Sequence, residues 1–133
     1  MTKFIGVDLG TMKCGFSIGN DITCTARPLE TSNFSNLEDF LEYILDLSKE
    51  QGVYHFILGD PTANHPGVHP LENSIKVIKG DEKRLLEKHQ LQITWIEESY
   101  TSQLATALAK EYPKHTRDAL AATLILQSYL NQL

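Results

Sequence analysis

Cysteine is nearly absent from this sequence. Only Cys14 and Cys24 occur, ten positions apart, so there is no Cys-x-x-Cys pair and no four-cysteine zinc site or disulfide framework. Both read as small buried residues of a reducing compartment. Long apolar runs are missing too. The most apolar segment, 119–126, falls far short of the ~20 residues that span a bilayer, and Asp8 comes too early for a signal peptide. The sequence therefore predicts a cytoplasmic protein without a membrane contact. Nor is there an excess of basic charge. Lys plus Arg is 12 against 17 for Asp plus Glu, a net charge of −5, which argues against a protein that coats nucleic acid over its whole surface. With 133 residues, 41% hydrophobic, the chain is sized for one domain, 1–133, with a real core.

The charge is uneven along the chain. Residues 1–50 hold 4 basic and 8 acidic side chains, residues 51–133 hold 8 and 9. Lys76, Lys79, Lys83, Arg84 and Lys88 recur as on a solvated helix face. Lys110, Lys114 and Arg117 form a second basic group, and a local basic surface on an acidic protein can still hold a phosphate backbone.

Periodicity gives the elements. Residues 3–9, 13–20 and 22–27 read as three short strands with tight turns, an antiparallel meander. Ser35 and Glu38 make a capping box for a helix with Leu37, Phe40, Leu41, Ile44 and Leu45 on one stripe, ended by Gly52. Residues 53–59 are a fourth strand. The proline-rich stretch 60–70 is a loop, and its His65 and His69 lack a helix that would set them as metal ligands. A second helix over 71–89 turns Leu71, Ile75, Ile78, Leu85 and Leu86 inward, with Gly80 as a candidate break. Residues 92–97 are a fifth strand, in which Ile93 and Trp95 alternate with polar residues. Ser99 or Thr101 caps a third helix that Pro113 stops. The last helix, from Arg117, is apolar nearly all round and should be buried. His55, inside the fourth strand, reads as a packing residue. The order β-β-β-α-β-α-β-α-α predicts an α/β fold: one mixed five-stranded sheet, three antiparallel strands then parallel ones, with helices on both faces.

Three carboxylates stand out by position. Asp8 closes the first strand before Gly10-Thr11, Glu97-Glu98 closes the fifth, and Asp118 opens the last helix. The carboxyl ends of parallel strands face one crevice, where Asp8, Glu98 and Asp118 could meet. Converging carboxylates need protons or cations. Mg²⁺ or Mn²⁺, as one or two ions, suits oxygen ligands and phosphate chemistry, and two such ions can activate water for phosphodiester hydrolysis. The alternative is that Asp8 caps a turn and Asp118 a helix. A strand ending in Asp-x-Gly-Thr also opens actin-like kinases, but these need a second lobe around the nucleotide.

The run from Asp8 through Gly10-Thr-Met-Lys-Cys-Gly15 resembles the opening of the YqgF/RuvX family, whose fold is ribonuclease H-like. The resemblance continues through Thr25-Ala-Arg-Pro-Leu29, Phe56-Ile-Leu-Gly-Asp-Pro61, Trp95-Ile-Glu-Glu-Ser-Tyr-Thr-Ser102 and Asp118-Ala-Leu-Ala-Ala-Thr-Leu-Ile-Leu-Gln-Ser-Tyr129, so it covers the whole chain in order. It implies a metal-dependent nuclease of the bacterial cytoplasm that matures the 5′ end of pre-16S ribosomal RNA in ribosome biogenesis. A Holliday-junction resolvase acting on branched DNA is the alternative, as monomer or homodimer. The family's acidic triad maps onto Asp8, Glu98 and Asp118 as catalytic and metal-binding residues. Gly10, Thr11, Lys13, Lys114 and Arg117 are then the candidates for substrate phosphates. Some substrate contacts depart from the family pattern. Met12-Lys13 stands for Lys-Arg, Ser99 for arginine, Glu97 for Asp and His65-Pro66 for Asp-Gly, and the loop 113–117 is short. Serine cannot replace a bidentate arginine clamp, so a binding module that has lost useful catalysis is a further reading.

Overall fold

The computed structural model describes residues 1–11, 13–62, 70–97 and 102–133. Five strands form one sheet in the order β3-β2-β1-β4-β5. They are β1 (Lys3–Asp8), β2 (Lys13–Asn20), β3 (Ala26–Asn33), β4 (His55–Asp60) and β5 (Gln92–Glu97). β1–β2 and β2–β3 are antiparallel, β1–β4 and β4–β5 parallel, as the sequence predicts. Helices α1 (Leu37–Gln51), α2 (Glu72–His89), α3 (Ser102–Glu111) and α4 (Arg117–Leu130) complete the chain. Among the described residues no helix is long and apolar enough to cross a membrane.

The period of two along the strands sorts side chains between two cores. Ile5, Val7, Cys14, Phe16, Phe56 and Leu58 face α1 and α2, meeting Phe40, Ile44, Ile78 and Leu85. Phe4 and Ile57 face the other way, onto Ile125, Leu126 and Leu130 of α4. The α4 side of β1 and β2 is made of small residues. A Cβ at Gly6 would lie 2.7 Å from the Ala122 carbonyl oxygen, and one at Gly15 would lie 1.9 Å from that of Asp118. Ser17, between them on that face, donates its hydroxyl to the Ala122 carbonyl at 2.7 Å. The helix backbone therefore lies directly on the sheet, and every residue from Ala119 to Leu126 is buried.

The third strand departs from expectation. The alternation of Ile22, Cys24 and Ala26 reads as a strand over 22–27, but the strand begins at Ala26 and runs to Asn33. The Asn20 side chain accepts from the Ile22 and Thr23 N–H groups, both at 2.9 Å. This asparagine turn takes the donors a strand would use. It leaves Ile22 exposed and Cys24 half-buried at a positive φ of 52°, so Cys24 is not the buried strand residue expected. Asn36, rather than Ser35, caps α1 by accepting from the Asp39 N–H at 2.9 Å. β4 is shifted to 55–60 relative to the expected 53–59. α2 runs unbroken through Gly80, where a Cβ would meet nothing within 4 Å. Leu86 is exposed instead of inward. The basic stretch on α2 is a paired, solvated face, with Lys76 on Glu72, Lys83 on Glu87 and Arg84 on Asp81. The expected caps of α3, Ser99 and Thr101, and the loop histidines His65 and His69 lie outside the described residues.

His55 is a packing residue, as its place in a strand suggests. Its Nε2 meets the Thr94 hydroxyl at 2.7 Å, and its ring stands edge-on to Phe4 and Tyr129. Burial disfavours the imidazolium and lowers its pKa from 6.5. A lowered folded-state value means that the unfolded chain binds the extra proton, so this contribution is present above pH 6.5 and is lost as pH falls below it. Urea unfolding from pH 7.5 to 5 is expected to show stability declining with acid. His55→Gln, which cannot titrate, should flatten that decline; an unchanged slope would assign it elsewhere.

Candidate active site

The C-terminal ends of β1, β4 and β5 share one edge of the sheet, because all three strands are parallel. Asp8 ends β1 on the same face as Phe4 and Gly6, the face that α4 covers. Its partner across the β1–β2 ladder is Gly15, and the missing Cβ of Gly15 is the place where the Asp118 backbone sits. One glycine thus brings the strand-end carboxylate and the carboxylate of the first turn of α4 to the same corner. Cys14 registers both. Burial pushes its thiol up to about 11; the Gly10 N–H opposes this, and the Asp8 and Asp118 carboxylates reinforce it.

Thr116 caps α4, its hydroxyl accepting from the Ala119 N–H at 3.2 Å. This leaves the Asp118 side chain for other contacts, and Lys13 at the start of β2 approaches it, Nζ to Oδ2 3.7 Å. The loop between β1 and β2 closes tightly, and a Cβ at Gly10 would lie 2.1 Å from the Lys13 carbonyl oxygen. Gly10 therefore serves by close backbone approach, with its N–H turned to the Cys14 sulfur, while Thr11 is exposed beside it.

The structure gathers Asp8, Asp118, Gly10, Thr11 and Lys13 at this edge. Lys114 sits on the turn before α4 and Arg117 begins that helix, and they face different hollows, Lys114 beside β3 and Arg117 beside α3. Glu98 lies outside the described residues. Glu97 does not substitute for it: its register partner is Asp60, on the α2 side of the sheet, where Asp60 meets Lys79 at 3.1 Å. Burial opposes ionisation of Asp60, yet hydrogen bonds from Thr62 and Lys79 and the Lys79 charge outweigh it and hold its pKa below the usual 3.8. Among the described residues no group of three or more His, Cys, Asp or Glu is close enough to form a metal cluster. Sequence reasoning missed Cys14 and Gly15 as parts of the corner. The signal was there in the alternation of β2, where Gly15, Ser17 and Gly19 leave one face almost bare.

Over residues 2–132 the chain matches the family described as RuvX, Holliday junction resolvase. The chain belongs to the RuvX family. A relative in Polynucleobacter necessarius named "Putative pre-16S rRNA nuclease" is 32% identical over 126 residues, which is 95% of this chain and 82% of the relative. The RuvX chain also shares its fold with two solved proteins. RuvC of Thermus thermophilus superposes with a TM-score of 0.64 at 12% identity, covering 98% of this chain and 95% of that one. The fowlpox virus resolvase bound to Holliday junction DNA gives 0.65 at 14% identity, covering 98% of each. The RuvX chain is thus an α/β protein of ribonuclease H-like fold.

Proposed function

We propose that this chain is a single ribonuclease H-like domain, 1–133, that hydrolyses phosphodiester bonds with a divalent metal and trims the 5′ end of pre-16S ribosomal RNA in the bacterial cytoplasm. The observation that carries the hydrolytic reading is the convergence of Asp8 and Asp118 across Gly15. Two carboxylates on one corner repel each other unless a cation joins them. Hard oxygen donors at the carboxyl edge of a sheet fit Mg²⁺ or Mn²⁺, and Asp8, Asp118 and Glu98 are the residues that would hold one or two such ions. A bound ion would polarise the phosphate and lower the pKa of a water.

The chain's own groups do the rest. The Lys13 ammonium supplies positive charge beside Asp118, next to where a phosphate approaches. Thr11 offers a hydroxyl at the same edge, and the closure of the loop at Gly10 keeps both in place. Lys114 and Arg117 flank the entry to α4 and draw in the polynucleotide. The name borne by the Polynucleobacter relative favours precursor rRNA as substrate; the family description favours branched DNA.

The test uses labelled pre-16S leader RNA and a four-way DNA junction side by side, each with Mg²⁺, Mn²⁺ or chelator. Metal-dependent cleavage of the leader RNA is expected. Cleavage of the junction alone would move the substrate to branched DNA. No metal-dependent cleavage of either, with binding intact, would leave a binding module on a nuclease frame.

A further inference from the structure

Most basic residues of α2 are paired, and a group of cations elsewhere is not. On α2, Lys76, Lys79, Lys83 and Arg84 each lie within 4.0 Å of a carboxylate. Among the described residues no ion pair involves Lys3, Arg27, Lys114 or Arg117, and these four line neighbouring hollows that run from α4 round the β3 edge of the sheet. A hollow of about 510 Å³ between α3 and α4 contains His115 and Arg117. His115 also lines the next, about 530 Å³, with Lys114 and Arg27. Arg27 in turn lines a third, about 550 Å³, with Lys3 and Tyr112. His115 and Arg27 each stand between two of these hollows, so the three lie in series along one groove-like path. Among the described residues that line them, Glu30 is the only carboxylate.

The groove follows the outer side of β3. That strand is the edge of the sheet, so its outward backbone groups have no neighbouring strand to pair with. One end of the groove is tied to the carboxylate corner. The Thr31 and Thr116 hydroxyls are in contact, which fixes the turn before α4 onto β3 two residues from Asp118. β3 runs in the same direction as β1, since both are antiparallel to β2. From Thr31 back to Arg27 the strand leads away from that corner by roughly 13 Å, at about 3.3 Å per residue.

We propose that the β3 edge and the 112–117 turn form a second phosphate track, in which Arg27, Lys3 and Lys114 hold the polynucleotide strand that leads away from the cleavage corner. The track extends the hydrolase reading above and rests on it for the identity of the ligand. Unpaired cations spaced along one groove suit successive backbone phosphates, contacts that need no particular base. The track thus supplies position and affinity rather than sequence preference.

The experiment measures binding of a labelled RNA duplex with a single-stranded 5′ extension, with Ca²⁺ present, across a salt series. The variants are Arg27→Ala with Lys3→Ala and, as control, Lys76→Ala with Lys83→Ala on the paired α2 face. Each lost phosphate contact lowers the log–log salt slope by ~0.7 to 0.9. The Arg27/Lys3 variant is expected to lose about 1.5 units of slope and at least about tenfold in affinity at low salt, with the control unchanged. In cleavage, KM for RNA should rise more than kcat falls. Arg27→Lys alone should keep the slope, because the charge remains. An unchanged slope in the double variant, an equal loss in the control, or no RNA binding by the wild type would overturn the track. The hydrolase reading is tested apart, by metal-dependent hydrolysis of bis-p-nitrophenyl phosphate by the wild type: its absence overturns that reading, while the salt slope still decides the track.

Discussion

Asp118→Asn and Asp8→Asn are each expected to lower metal-dependent cleavage by at least about 10³-fold, a loss of roughly 4 kcal/mol of transition-state stabilisation. Asparagine keeps the size of aspartate and one oxygen, and it removes the charge that would hold a divalent cation. Stability should barely follow. Asp118 is partly exposed and pairs with Lys13 at 3.7 Å, and an exposed pair of this kind contributes at most about 1 kcal/mol. Asp118 also sits in the first turn of α4, where a negative charge adds a further ~0.3–1 kcal/mol. Its proximity to Asp8 offsets part of both. The combination of lost cleavage with a melting temperature within a few degrees of wild type is the signature of a functional carboxylate. Cleavage within tenfold of wild type in both variants would sink the assignment. A large fall in melting temperature would recast Asp118 as a structural cap.

Gly15→Ala is expected to have the largest effect on stability. Its Cβ would lie 1.9 Å from the Asp118 carbonyl oxygen and 2.7 Å from the Ala119 nitrogen. Both are backbone atoms, so no rotamer change relieves the clash. Either α4 lifts from the sheet or β2 bends, in a core where Ala119 to Leu126 are all buried. Overpacking of a tight core costs about 1–3 kcal/mol, and a backbone-to-backbone contact belongs at the upper end, about 3 kcal/mol. For a chain of this size that is a fall of roughly 10 °C in melting temperature. Because the displaced segment carries Asp118, cleavage should drop as well, even at temperatures where the variant is fully folded. Differential scanning calorimetry and cleavage assays on the same preparation check both parts. A melting temperature unchanged within 2–3 °C would show that α4 does not rest on β2 as closely as described.

These two variants also mark how far local reading reaches. The element order, the mixed sheet with its parallel second half, the buried last helix and Asp8 and Asp118 as residues of interest follow from periodicity and from acids at element ends. β5 and the start of α4 fall where the pattern puts them. The reading failed at residues 22–27, where an apolar alternation imitates a strand. There the Asn20 side chain captures the N–H groups of Ile22 and Thr23, a competition between side chain and backbone that hydrophobic pattern does not encode.

Apart from the third strand, the sequence by itself determined which segments are strands and helices, which face of each is apolar, and which acids terminate them, because these properties depend on neighbours within one or two turns of chain. Only the tertiary structure decided that Asp8 and Asp118 share a corner. Their meeting depends on a cross-strand register and on a helix 110 residues away in sequence lying against Gly15, and contacts of that range are set by packing. That most cations of α2 are paired while Arg27, Lys3 and Lys114 are not was likewise beyond the sequence. A lysine's charge is written in the chain, but whether a carboxylate stands within reach depends on which surfaces the fold brings together.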